Sequence, residues 1–164
     1  MPVYLKYGSV QGAVTNASFP GWIELESFSW GFSVAVSTAV GAAGNRLGAG
    51  KVTPSDVVIS KMLDDSSIQM VKDSFEGKIT PTVQLAVVQM AGDQLADKYV
   101  EYTLSKVIVS SHQISGSGGG ADDRPHETFT LNFSQFQSSQ EIRDANNQPR
   151  KLVAGYDFEA AKKM

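Results

Sequence analysis

Trp22-Ile23-Glu24-Leu25-Glu26-Ser27-Phe28-Ser29-Trp30-Gly31 holds both tryptophans of the chain and reads as extended structure with two unlike faces. Successive side chains of a strand point to opposite sides of its sheet. Trp22, Glu24, Glu26, Phe28 and Trp30 therefore share one face, and Ile23, Leu25, Ser27 and Ser29 share the other. Each face changes character midway, charged to aromatic on one and aliphatic to hydroxyl on the other. A strand that only lined a core would keep one apolar face throughout. This one is expected to serve two environments, part subunit core and part assembly surface.

Outward from that segment the period of two recurs. Val3, Leu5 and Tyr7 alternate with Tyr4 and Lys6 up to Gly8, and Asp56 to Met62 is β-branched through Val57, Val58 and Ile59. Thr82 to Met90 and Tyr99 to Ser111 read as two strands joined by a polar turn over Ala91 to Lys98. Near Ser105 and Lys106 the apolar positions pass from Val100, Tyr102 and Leu104 to Val107 and Val109, a change of phase that marks a candidate bulge. Phe129, Leu131 and Phe133 form a further alternation, and a last strand puts Leu152, Ala154, Tyr156 and Phe158 on one side. About seven such strands, with no helix between most pairs, predict a mainly β sandwich or barrel in place of a parallel α/β sheet.

One helix interrupts the strands, over about residues 66–76. Ser66-Ser67-Ile68-Gln69 matches a capping box, Ile68, Val71 and Phe75 fall on one stripe expected to pack on the barrel, and Gly77 can close the last turn. Asp64 and Asp65 sit at the positive end of the helix dipole.

Composition limits the function classes. The chain has 164 residues, 41% hydrophobic and 19% charged, which suits one globular domain, 1–164, of ordinary size. A formal net charge of -3 supplies no basic footprint for nucleic acid. Cysteine is absent, so disulfides and thiolate metal sites are excluded. Met1 to Tyr7 lacks the basic and apolar regions of a secretory signal, and no segment approaches the ~18 apolar residues of a membrane helix, so neither membrane insertion nor ordinary export is expected.

Two loops exceed what such a fold needs. Ser37 to Gly50 is small, Gly-rich and carries one charge, Arg46, while Gly116 to Pro125 reads GSGGGADDRP. Long structureless loops are uncommon in compact domains. Each is either a surface connector or a segment that orders when a neighbouring subunit receives it.

WIELESFSWG at Trp22 to Gly31, GAGKV at Gly48 to Val52, KMLDDSS at Lys61 to Ser67, KVIVSSHQISGSGGG at Lys106 to Gly120 and ETFTLNFSQ at Glu127 to Gln135 occur in one order. That ordered set, with an aromatic strand near Tyr156, resembles the haemolysin-coregulated protein (Hcp) family, the tube protein of bacterial type VI secretion. Gln11 to Gly21, QGAVTNASFPG, departs from the family pattern, in which an acidic residue and a histidine are common. The resemblance implies a two-sheet β-barrel with one flanking helix, assembling as a homohexameric ring. Such rings stack into a tube that a contractile sheath fires from the cell. The partners it implies are further copies of the chain, the spike, sheath and baseplate components, and small effector proteins held within the ring. The chain would be cytoplasmic before assembly and exported without a cleaved signal. No further domain is expected after Met164, and hence no fused toxin.

The resemblance directs attention to three groups of residues. In the family the extension matching Ser37 to Gly50 takes part in stacking, which makes Gly41, Gly44, Arg46, Leu47 and Gly48 the candidate stacking-loop residues. A conduit should not hold cargo tightly, so Ser27, Ser29, Ser110 and Ser111 are candidates for the lumen wall, the alternative being serines that merely tolerate solvent on an exterior face. Glu24, Glu26 and Trp30 are subunit-interface candidates.

Enzymatic readings fail on the residues. A phosphate loop would need Gly where Asn45 stands and Ser or Thr where Val52 stands. GSGGG lacks dinucleotide-loop spacing, and no G-x-S-x-G elbow is present. His112 and His126 flank one loop without a clear third metal ligand, and no cofactor is expected. The competing non-enzymatic reading is a stand-alone β-sandwich module that takes a carbohydrate or peptide on its aromatic patch.

Overall fold

The computed structural model describes residues 1–38, 47–91, 94–120, 124–143, 145–146 and 148–164. The fold is mainly β with one helix among these residues. Its strands are β1 (Val3–Tyr7), β2 (Ile23–Leu25), β3 (Ser27–Ser29), β4 (Phe32–Thr38), β5 (Leu47–Pro54) and β6 (Val57–Met62), then β7 (Thr80–Ala91) and β8 (Gln94–Ser115), then β9 (His126–Asn132), β10 (Gln135–Arg143), β11 (Pro149–Asp157) and β12 (Lys162–Lys163). The helix α1 (Asp65–Phe75) lies between β6 and β7.

All pairings are antiparallel, and one long strand belongs to both layers. The first layer runs β12-β11-β10-β8-β7-β1-β2, and the second runs β3-β6-β9 onto the far half of β8. Along Gln94 to Val107 the strand β8 pairs with β7, and along Ile108 to Ser115 it pairs with β9. The change of layer falls at Lys106, whose φ of 54° puts a non-glycine residue in the left-handed region. Val100 and Leu104 face the core before it and Val107 and Val109 after it, so the change of phase in the sequence is this bend.

The core between the layers is built by the alternating positions of β1, β6, β7 and β9: Leu5, Ile59, Val83, Leu85, Phe129 and Leu131 are buried among their neighbours. A second, smaller cluster covers the outer side of β1 and β7. There Phe19 and Trp22, from the segment 9–22, pack with Tyr4, and Phe19 and Trp22 meet edge to face at 5.1 Å. Gly12 permits that covering, because a Cβ at this position would lie 2.2 Å from the Trp22 carbonyl oxygen.

Several expectations are corrected. Trp22 to Gly31 is not one strand. β2 pairs with β1 and β3 pairs with β6, and the corner at Glu26 is held by its N–H donating to the Ser60 carbonyl at 2.9 Å. Ile23 and Leu25 face the core before the corner, and Phe28 and Trp30 pack on it afterwards while Ser27 and Ser29 turn to the exposed side, so the midway change of character on each face marks this corner. The polar stretch from Ala91 to Lys98 is largely strand, with Lys98 paired to Val88 and Gln94 to Ala91. Most of the described part of Ser37 to Gly50 is also strand, the ends of a β4–β5 hairpin.

The helix starts earlier than its sequence signature suggests. Asp64 is the N-cap, its carboxylate accepting from the Ser66 N–H at 2.9 Å, while Ser67 Oγ accepts from the Asp64 N–H at 3.0 Å. Gly77, at φ 63°, ends it as foreseen, with the N–H groups of Gly77 and Lys78 bonded back to the carbonyls of Ser74 and Asp73. The expected apolar stripe faces the wrong way: Ile68 is 76% and Phe75 86% exposed, whereas Met70 is fully buried and Val71 packs at the core edge.

Candidate functional site

The outer face of the β3-β6-β9-β8 layer is the most distinctive surface. On β6 and β9 the residues Val57, Ile59, Phe129 and Leu131 turn inward, so Val58, Ser60, Thr128 and Thr130 turn outward. Rungs across the layer then read Ser27, Ser60, Thr128, Gln113 and Ser29, Val58, Thr130, Ser111. The Ser27 and Ser60 hydroxyls bond each other at 2.7 Å. Between Val109 and Ser111 the register shifts, which leaves Ser110 as an extra residue of β8 and exposes both serines in succession. Ser110 Oγ donates to the Thr130 carbonyl at 3.2 Å and to Asp56 Oδ2 at 3.3 Å. All four serine candidates thus lie on one hydroxyl-rich face. Its formal charges sit at the margins, on Asp56 beside Asn132 and on Glu26 beside His126.

The β4–β5 hairpin is a separate two-stranded sheet. Phe32 and Val36 are 60% and 64% exposed on it. A lone hairpin is marginal in water, so this arm stands to gain from a partner. Leu47 and Gly48 lie on β5, paired with Thr38 and Ser37. Gly41, Gly44 and Arg46 lie outside the described residues.

The interface candidates have unequal environments. Trp30 is half-buried, its ring 4.1 Å from that of Phe136 and edge to face with Tyr102 at 5.5 Å. Glu24 and Glu26 are exposed and line a cleft of about 430 Å³ with Met62, Asp64 and Arg124. His126 Nδ1 and Glu26 Oε2 are 2.9 Å apart. The two histidines therefore do not form a pair, since His112 Nε2 instead meets Glu127 Oε1 at 3.1 Å.

A buried polar cluster escaped sequence reading. Lys61, fully buried, donates to Asp64 Oδ1 at 2.7 Å, Ser67 Oγ at 2.8 Å and the Met62 carbonyl at 3.0 Å, and lies 3.1 Å from Glu127 Oε2. Ser67 Oγ donates to Glu127 Oε2. Burial opposes ionisation of Glu127, but hydrogen bonds from Ser67, Lys61 and His112 together with the Lys61 charge outweigh it, and its carboxyl titrates below the ordinary range. Burial likewise opposes the Asp64 charge, and bonds from Lys61 and Ser66 with the Lys61 charge hold it low. Lys61 and Glu127 face each other across β6 and β9, which alternation alone would have marked as two polar residues on inward positions.

A two-layer barrel with a docked helix, a hydroxyl face and a separate two-stranded arm places the chain among proteins of mainly β class. Among the described residues no group of three or more His, Asp or Glu could hold a metal ion. The sequence matches the family described as type VI secretion system effector, Hcp, over residues 4–139, and the chain belongs to that structural, non-enzymatic family. It is 37% identical over 87 residues to protein hcp1 of Pseudomonas aeruginosa, a match covering 53% of the chain and 52% of that relative, so it spans about half the relative's length. A solved type six secretion system protein superposes with a TM-score of 0.84 at 28% identity, covering 99% of each chain. Hcp1 from Salmonella typhimurium superposes at 0.76 with 26% identity, over 99% of this chain and 98% of its own.

Proposed function

We propose that this chain is the repeating subunit of a type VI inner tube. Six copies close into a ring, rings stack through the β4–β5 arm, and the hydroxyl face of β3-β6-β9-β8 lines the opening. The observation that carries this reading is the gathering of Ser27, Ser29, Ser110 and Ser111 on one sheet face that keeps its charges at the edge. Such a wall can hydrogen-bond a passing protein without gripping it by charge. Ring closure and stacking are both heterologous contacts, one of which closes while the other continues as a filament. The edge of β11 before Gly155, where the C-terminal stretch covers Gly155, Tyr156 and Asp157, suits completion by the next subunit. Small effector proteins are the cargo, and spike, sheath and baseplate components the outer partners. The chain waits in the cytoplasm and leaves with the fired tube.

Light scattering after size exclusion should show a species near six times the 17.6 kDa chain. Ser29→Arg should leave that species intact while lowering the effector that co-purifies by about tenfold, equivalent to ~1.4 kcal/mol. Unchanged effector on an intact ring would remove the serines from the lumen. A compact monomer at high concentration would remove the ring and favour the binding-module reading.

A further inference from the structure

We infer that the cluster around Lys61 is an acid-released latch that holds α1 on the barrel. Its polar groups come from every element packed there. β6 supplies the Lys61 ammonium, the helix cap the Asp64 carboxylate, β9 the Glu127 carboxylate and β8 the His112 ring that meets Glu127. Asp65 lies in the first helical turn, and Glu26, His126 and Arg124 stand outside the cluster at the same end of the barrel.

At neutral pH two carboxylates face one ammonium and the positive end of the helix dipole, whose Ser66 N–H points at Asp64. The helix thus completes the charge balance, and docking and balance depend on each other. Acid reverses this. Once Asp64 and Glu127 are protonated, a fully buried ammonium faces a positive helix end with no counter-charge, and Lys61 reaches water only if the helix lifts. Both carboxyls titrate below their ordinary values near 4, so the latch is complete above that range and is lost as pH falls through the lowered values. Lifting α1 uncovers Met70, while Trp22 stays in the cluster on the outer side of β1 and β7 and Trp30 stays packed against Tyr102 and Phe136.

The chain has no cysteine, so Met70→Cys in this chain of 164 residues provides a single thiol. Its reaction with 4,4′-dithiodipyridine, followed from pH 7 to pH 3 beside tryptophan emission, reads helix and barrel separately. Relative to a free thiol at the same pH, which corrects for the falling thiolate fraction, reactivity should rise at least tenfold below about pH 4 before the emission changes, and Glu127→Gln should raise it already at pH 7. A thiol protected until the tryptophans report unfolding, or equally protected in Glu127→Gln, overturns the latch. Should Met70→Cys fail to fold, amide exchange of α1 in the unsubstituted chain, against that of β1 and β7, decides the same question: joint exchange at every pH refutes it.

Discussion

At the residue scale, small differences in side-chain volume decide whether the outer aromatic cluster closes. Gly12→Ala would set a methyl against the Trp22 carbonyl, and the stretch around Gly12 would have to move away from Trp22 and Ile23. We expect a loss of ~1–3 kcal/mol, as for other overpacked sites, read from urea unfolding followed by tryptophan emission; an unchanged midpoint would show that the segment yields freely. Nothing in QGAVTNASFPG announces this need, since the clash is with backbone ten residues away in sequence. Lys106 is the opposite case. Its left-handed backbone was visible as a slip in apolar phase because the residues on either side, Leu104 and Val107, must both reach one core. The ion pair it makes with Glu159 at 2.6 Å links two distant stretches and left no local trace.

At the element scale, α1 shows what spacing can and cannot settle. Ile68, Val71 and Phe75 form a helical stripe, yet the buried side is Ser66, Ser67, Met70 and Asp73. Periodicity identifies a helix but favours the more apolar side as the inner one, and here the inner side is polar because Lys61 and Glu127 meet it. Met70→Ala should therefore cost ~2–5 kcal/mol, whereas Phe75→Ala should stay within about 0.5 kcal/mol of the parent for the isolated subunit. Calorimetry of the two variants separates these outcomes, and a large loss in Phe75→Ala would restore the stripe as the packing face. The strands divide in the same way. β1, β6 and β9 were legible because one side of each is buried at alternate residues. β10, with Gln135, Gln137, Ser138 and Gln140, offers little contrast between its sides, and β4–β5 owes its strand character to mutual pairing and not to a core.

At the scale of the whole molecule, the two-layer barrel was readable and the sharing of one strand between layers was only hinted at. The arm can be tested as a unit. Its base is already closed by the Ser55 N–H donating to the Gly31 carbonyl at 2.8 Å, so residues 32–54 can be replaced by an Asn-Gly turn without stretching the barrel. Rings of unchanged size that no longer lengthen into filaments, seen by electron microscopy, are the expected result; filaments persisting without the arm would transfer stacking to another surface. The double membership of β8 also bears on how this chain can diverge over time. Gain or loss of one residue inside that strand would exchange inner for outer side chains along its length, in one layer or the other. Insertions and deletions should accordingly gather at hairpin tips in related chains, while the count from Gln94 to Ser115 is inherited intact.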